Sequence, residues 1–376
     1  MLQPAASHSI FFRMDTRGGV QSCVLALIAG LNARGIVPEL VWDLPPDLSL
    51  LEEAGVCATF RKVRFIVPTR LVDRLPDTLR YLPIALNGLA TRWFFQKRQK
   101  VFAFVNWVHP KSSHDITYYC SGPPLLPQLE PPRRGISWFL DRVQKCIYRA
   151  LIRPLSPAYE VHVGSKCYIN SNFTAGLLWE AHRERMPVLY PPIMAATSPT
   201  PFVSGEPRDS VLFFSRIVDY KRPDLVIDLA RNHPETRFVV AGAVAKNRQA
   251  YFDGLVDSAA GLSNVVFLPN VPLSELETEF ARARIYIFPA RDEHFGMTTA
   301  EAIARGICPF VHDSGGQREL VCEDRLRFDY VNLSERFSDL IRMSDAEIER
   351  LHLSVSTVLP ALSAENFCRK MLSDSR

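Results

Sequence analysis

Two carboxylates, Glu293 and Glu301, bracket the segment Glu293-His-Phe-Gly-Met-Thr-Thr-Ala-Glu301. The apolar run Ile285–Phe288 before it, ending at Pro289, reads as a strand, and Thr299–Ala304 reads as a helix. Glu293 then lies in the loop at a strand's carboxyl end, and Glu301 about one turn into the next helix. In open α/β sheets that crevice is where ligands bind, and a helix N-terminus offers free backbone N–H groups to phosphate. An acid before that terminus and another just inside it suit a ligand with hydroxyls on both sides of a phosphate, as in a nucleotide sugar. Read blandly, Glu293 is a solvated loop residue and Glu301 an acid favoured by the helix dipole. The companion residues separate the two readings.

Releasing a sugar from a nucleotide diphosphate breaks an anomeric C–O bond. Negative charge builds on the departing diphosphate and oxocarbenium character on the sugar. Arg216 and Lys221 follow the strand-like run Val211–Ser215 and can meet that charge, one as a planar fork and one as a point charge. Each preorganised donor of this kind is worth roughly 2.7–4 kcal/mol in the transition state. No Asp-x-Asp motif and no Cys/His ligand cluster appears, so neither a metal nor another cofactor is expected beyond the nucleotide-sugar donor. Glu293 would bind sugar hydroxyls, helped by His294 and by the backbone of Phe295 and Gly296, where glycine permits close approach. Met297 and Thr298 would bring backbone N–H groups to the distal phosphate. Gly18 and Gly19, after the first strand, would let backbone approach the same phosphate and the acceptor. As ordinary surface features, these are two solvated cations and a plain glycine turn, and Gly315-Gly316 likewise reads equally as a plain turn.

Together these segments resemble retaining glycosyltransferases of family 4. Glu293–Glu301 matches their Glu-x-Phe-Gly-x4-Glu signature, and Val211 to Ile227 resembles their first C-domain strand with its Arg-x4-Lys pair, Arg216 and Lys221. Ser314-Gly-Gly-Gln-Arg-Glu-Leu320 is similar to their Gly-Gly-x-x-Glu segment, and Arg17-Gly-Gly-Val20 to their N-terminal glycine loop. The resemblance implies an α/β chain with the GT-B fold, two Rossmann-like domains facing across a cleft. It implies an acceptor-side domain over 1–195, a nucleotide-sugar-binding domain over 196–350, and a terminal helix in 351–376 crossing back to the first domain. It assigns Glu301 to the ribose hydroxyls. It also implies retention of anomeric configuration without a metal, through front-face attack in which the leaving phosphate takes the acceptor proton.

A narrower resemblance covers residues 105–195 and 210–320. His109 in Asn106-Trp-Val-His-Pro-Lys-Ser-Ser-His-Asp115, then Asn170-Ser-Asn-Phe-Thr-Ala175 and Val188-Leu-Tyr-Pro-Pro192, resemble motifs of the cytosolic-face mannosyltransferases that extend the dolichol-linked core oligosaccharide with α-1,2-mannose. It implies GDP-mannose as donor, a saccharide or polyprenyl-linked acceptor, and a catalytic place for His109 beside Arg216, Lys221 and Glu293. A lone loop histidine is otherwise structural or solvated. The chain departs from those enzymes in having no N-terminal membrane helix, Ile193 in place of a frequent cysteine, and Cys322–Asp329 in place of a glycine-containing loop.

These residues need a scaffold of alternating strands and helices. Ile10–Met14, a helix over Val20–Ala33 and Val37–Trp42 form a βαβ pattern, with Val101–Val108, Tyr168–Asn172 and a helix over Thr174–Glu184 later. The proline-rich stretch 191–208 reads as a linker. Beyond it, Val211–Ser215, Phe238–Ala241, Val265–Leu268, Ile285–Phe288 and Pro309–His312 are strand candidates, with Arg222–Arg231 and Leu273–Arg282 among the helices between them. That rhythm predicts a parallel sheet, and Asp345–Ser373 reads as helices.

At 376 residues and 47% hydrophobic, the chain can form two cores. No apolar run reaches the ~18 residues of a spanning helix, no signal-peptide pattern begins the chain, and the eight cysteines are scattered, so a cytoplasmic protein is expected. The net charge of +4 hides a division: residues 1–190 carry 23 Lys/Arg against 14 Asp/Glu, and the remainder 21 against 26. No nucleic-acid partner is indicated. Two segments, 91–100 and 133–153, mix aromatics or an amphipathic face with cations and suit peripheral contact with the cytoplasmic membrane face, or alternatively core packing with solvated cations. The rival readings are a UDP-sugar-dependent glucosyl or N-acetylglucosaminyl transferase, a UDP-sugar epimerase of the same fold, and a non-catalytic nucleotide-sugar-binding subunit.

Overall fold

A computed structural model describes residues 8–14, 18–75, 81–90, 94, 100–104, 116–119, 139, 142–143, 146–147, 150, 166–177, 186–193, 208–272 and 275–373. The chain divides into two compact units: Met1–Met194 with Ala364–Arg376, and Ala195–Ser363.

The first unit is built on six parallel strands: β1 (His8–Phe11), β2 (Glu39–Trp42), β3 (Thr59–Lys62), β4 (Lys100–Ala103), β5 (Ile116–Tyr119) and β6 (Lys166–Ile169). They lie in the order β3-β2-β1-β4-β5-β6. Both faces of a parallel sheet must be covered. The helix Gly19–Asn32 does this on one side with Cys23, Val24, Leu27, Ile28 and Leu31 buried at the 3.6-residue spacing. The chain's last helix, Ala364–Ser373, packs against it so closely that a Cβ on Gly30 would stand 2.6 Å from Cys368 Sγ. Phe367 meets the Tyr118 ring edge-on at 5.2 Å, and Phe367 and Met371 are fully buried. Each such burial stabilises by about 1.5–3 kcal/mol, so the chain's end completes the core of its beginning.

The second unit repeats the plan with β7 (Ser210–Phe214), β8 (Arg237–Gly242), β9 (Val265–Pro269), β10 (Ala283–Phe288), β11 (Cys308–His312) and β12 (Arg327–Phe328). The order is β12-β11-β10-β7-β8-β9, all parallel. From β7 the chain winds outward through β8 and β9, then returns to place β10 on β7's other side. The strand order therefore reverses between β7 and β10, and the carboxyl ends of those two strands form the crevice where open α/β sheets take ligands. The first unit reverses likewise between β1 and β4.

The expected α/β class and two Rossmann-like sheets are present. Most elements read from the sequence recur with ends shifted by one or a few residues. The strand read over Val101–Val108, however, is Lys100–Ala103, and of the helix read over Thr174–Glu184 only Asn172–Gly176 is helical among the described residues. The helix expected over Arg222–Arg231 is Pro223–Asn232, because Arg222 takes a left-handed conformation (φ 57°) and proline supplies the first helical position. The helix read from Leu273 is Glu277–Arg282, and that read from Thr174 begins at Asn172. The region 105–115 with His109, most of 91–100 and 133–153, and 194–207 of the linker lie outside the described residues.

Candidate active site

The first arm of the site begins where β7 ends. A Cβ on Gly242 (φ 148°) would stand 1.7 Å from the Ser215 carbonyl oxygen, so glycine at the end of β8 lets the β7 exit loop pass over it. Hydrogen bonds from Ser215 N to Ala241 O (3.2 Å) and Ile217 N to Ala243 O (2.9 Å) continue the pairing beyond the strands. Arg216 emerges exposed, its guanidinium donating to Tyr220 Oη (2.8 Å) and making no ion pair among the described residues. Lys221 is buried, its Nζ 5.0 Å from the Phe288 ring centroid and ion-paired to the Glu293 carboxylate. Cation–π attraction suits a desolvated ammonium. One cation is therefore locked and the other open.

The second arm follows β10. Asp292 is left-handed (φ 53°), and its N–H donates to Ser314 Oγ (2.8 Å). The Glu293 carbonyl accepts Gly316 N–H (2.7 Å). A Cβ on Gly315 (φ 74°) would lie 2.4 Å from Glu293 O, and one on Gly316 2.2 Å from His294 O. Gln317 Nε2 donates to Ala290 O (3.0 Å) and His312 O (2.9 Å), tying the exits of β10 and β11 together. Gly315-Gly316 is thus more than a plain turn: it forms the surface against which the Glu293 loop lies.

Gly296 (φ 98°, ψ 56°) turns the chain into the helix Met297–Ala304, whose N-terminus no side chain caps. Tyr286 Oη donates to Thr298 Oγ1 (2.6 Å) and lies 3.3 Å from Phe214 O, pinning that terminus to both central strands. Burial raises the Tyr286 pKa, so the phenol stays a donor. First-turn N–H groups without a side-chain acceptor form an anion site. Glu301 is half-buried, and its side chain makes no hydrogen bond or ion pair among the described residues. Burial raises its pKa, with Arg305 opposing. His294 is half-buried too; burial lowers its pKa and Lys221 adds to this, while Glu293 opposes, favouring neutral imidazole.

Nine of the sequence-selected residues therefore share the switch point of one sheet: Arg216, Lys221, Glu293, His294, Phe295, Gly296, Met297, Thr298 and Glu301. Gly18 and Gly19 belong to the other unit, at the start of the Gly19–Asn32 helix after β1. Gly18 is extended (φ 179°), and a Cβ there would meet only the tip of Gln21, at 2.7 Å, so its own unit does not demand glycine. Sequence reading did not find Tyr286, Gln317, Arg222, Tyr330 or Ser314 as supports; the one usable signal was Ser314 immediately before the glycine pair. Among the described residues no three His, Cys, Asp or Glu side chains converge as metal ligands. No described helix is long and apolar enough to cross a membrane.

Residues 199–342 match the family model for glycosyl transferases group 1. The lipopolysaccharide core biosynthesis mannosyltransferase LpcC of Rhizobium leguminosarum bv. viciae is 35% identical over 115 residues, covering 29% of this chain and 32% of that protein. The D-inositol 3-phosphate glycosyltransferase of Mycobacterium leprae (strain Br4923) is 38% identical over 107 residues, covering 27% and 25%. The matched stretch thus spans about a third or less of these relatives' length. In structure, the chain is similar to Anabaena Alr3699/HepE, solved in complex with UDP and glucose, with a TM-score of 0.65 at 13% identity over 98% of both chains. It is also similar to sucrose-phosphate synthase from Thermosynechococcus elongatus, with a TM-score of 0.69 at 13% identity over 97% of both. At such identities the likeness shows the fold, which is GT-B.

Proposed function

We propose that this chain, which carries a glycosyltransferase group 1 domain in a GT-B fold, transfers a hexose from a nucleotide sugar to a saccharide or polyprenyl-linked acceptor. One observation carries the reading. Lys221 and Glu293 come from the exits of adjacent strands and meet at the sheet's switch point, beside a helix N-terminus without a side-chain cap and Glu301, which no side chain hydrogen-bonds among the described residues. A diphosphate takes the helix N–H groups, Arg216 and a share of Lys221, while ribose and sugar hydroxyls take Glu301 and Glu293. The anomeric C–O bond to phosphate breaks as a bond to the acceptor oxygen forms on the same face. The acceptor proton passes to the departing phosphate oxygen. Positive charge from Arg216 and Lys221 serves the leaving group, so no metal is required.

The donor we propose is GDP-mannose, supported by the motifs shared with mannosyltransferases and by the LpcC likeness. His109 would line the sugar site, and Gly18 and Gly19 would lie against the phosphate. A UDP-sugar is the second reading, favoured by the likeness to HepE, which binds UDP and glucose. We place the activity in the cytoplasm, with peripheral membrane contact through 91–100 and 133–153. Incubating the protein with GDP- and UDP-sugars, with and without polyprenyl-linked sugar and with and without EDTA, tests all of this. The expected outcome is acceptor-dependent GDP release that survives EDTA. Release from UDP-sugars alone would move the donor, loss under EDTA reversed by manganese would overturn metal independence, and epimerised sugar without transfer would overturn the reaction.

A further inference from the structure

Behind the Lys221–Glu293 pair lies a second set of contacts. Ser314 Oγ accepts the Asp292 N–H at 2.8 Å and shares a hydrogen bond with His312 Nδ1 at 2.9 Å. His312 is buried, and burial lowers its pKa. A neutral imidazole can accept the Ser314 proton at Nδ1, leaving the hydroxyl oxygen's lone pairs for Asp292. The His312 ring meets Tyr330 edge-on, centroids 4.5 Å apart. Tyr330 Oη donates to Pro289 O (3.0 Å), at the root of the Glu293 loop, and the Arg222 guanidinium stands 5.0 Å from the Tyr330 ring centroid. Arg222 adjoins Lys221, and Asp292 adjoins Glu293. The contacts therefore close into a ring: Lys221 to Arg222, Tyr330, His312, Ser314, Asp292, Glu293 and, through the ion pair, back to Lys221.

Both joints of this ring are backbone positions that need holding. Arg222 (φ 57°) and Asp292 (φ 53°) are two of the three non-glycine left-handed residues among the described ones, and each is next to a member of the ion pair. We infer that Ser314 and Tyr330 are positioning residues, which fix through Asp292 and Arg222 where the Glu293 carboxylate and the Lys221 ammonium stand. Their effect on turnover rests on the proposed function; their effect on the pair does not. Misplacing a reacting group by 1 Å can cost about a hundredfold in rate.

The full chain is compared with Ser314→Ala, Ser314→Thr and Tyr330→Leu for sugar transfer, for affinity to GDP and UDP alone, and for thermal midpoint. Ser314→Ala and Tyr330→Leu are expected to lower kcat by about tenfold or more, with nucleotide affinity falling by much less, because the helix N-terminus and Arg216 still hold the diphosphate. Ser314→Thr, which keeps the hydroxyl, is expected to recover most of the loss. A double-mutant cycle of Lys221→Met with Glu293→Gln, read by unfolding, is run with Ser314 and again with alanine there. The Lys221–Glu293 coupling should fall in the alanine background. An unchanged coupling overturns the inference, as does a kcat loss matched by lost nucleotide affinity and not recovered by threonine. A wild-type protein that transfers no sugar, yet shows the drop in coupling, would instead overturn the proposed function and leave the positioning role standing.

Discussion

Glu301 and Glu293 are two acids of one loop and helix in opposite electrostatic circumstances. Lys221 answers the charge on Glu293, whereas no described side chain hydrogen-bonds Glu301. Burial raises the folded-state pKa of Glu301 above its unfolded value. This group's contribution to stability is therefore fully present below the ordinary carboxylate range and is lost as pH rises through the raised value. Glutamine, neutral throughout, escapes that loss. Glu301→Gln should accordingly raise the thermal midpoint of the ligand-free protein at neutral pH, by a margin that closes on acidification. A midpoint difference flat with pH would show the carboxylate to be satisfied already. If Glu301 holds the ribose as proposed, the same substitution should weaken nucleotide binding, since two ribose hydroxyls would lose a charged acceptor. For Glu293 the test is kinetic: Glu293→Ala should cut turnover at least about tenfold, whereas a merely solvated acid would change it little.

The elements carrying these residues depend on backbone passing close to backbone. Gly316 has no Cβ because His294 O occupies its place, at 2.2 Å. Gly316→Ala must push the Glu293 loop off its support, with an expected loss of about 1–3 kcal/mol in a urea titration and a fall in turnover. Gly254 is the contrast: it lies inside the helix Gln249–Ser258 with nothing within 4 Å of a Cβ. Gly254→Ala should stabilise by about 0.5–1 kcal/mol and leave turnover alone. If both changes behaved alike, close backbone packing would not explain the glycine pair. This difference also marks what the sequence made legible. Buried central strands such as β7 and β10 announce themselves as apolar runs, and Glu293, Glu301, Arg216 and Lys221 stand at fixed offsets from them. Of the edge strands, β6 and β9 are legible too, but β3 and β12 are not: Thr59–Lys62 has no long apolar run, and Arg327–Phe328 is only two residues. Between β4 and β6, Ile116–Tyr119 is too short to show a period. Ser314 and Tyr330 act on backbone 22 and 41 positions away, and Gln317 joins His312 to Ala290, 27 positions away, so no local spacing reports them.

Across the whole molecule, charge is divided between the two stretches of chain that build the two sheets. Residues 1–190 hold 23 Lys/Arg and 14 Asp/Glu, whereas the nucleotide-type motifs lie in the acidic remainder. Within 133–153, Phe139, Val143 and Ile147 recur every four positions and are 59%, 37% and 36% exposed. Apolar groups repeating at helical spacing beside Arg142, Lys145 and Arg149 suit the interface of an anionic bilayer. Each cation near such a surface contributes about 1 kcal/mol, and the attraction weakens as salt shortens the Debye length. The protein should therefore co-sediment with vesicles containing anionic lipid more than with neutral ones, and less as ionic strength rises. Replacing Arg142, Lys145 and Arg149 with glutamine should release it from the vesicles while leaving nucleotide affinity intact, because none of the three is among the residues proposed to bind the nucleotide and Arg216, Lys221, Glu293 and Glu301 lie in the other unit. Phe139→Ser should weaken binding to anionic vesicles by removing an exposed ring without changing the charge. Equal sedimentation with neutral and anionic vesicles, or none with either, would assign the basic character of this stretch to solvation.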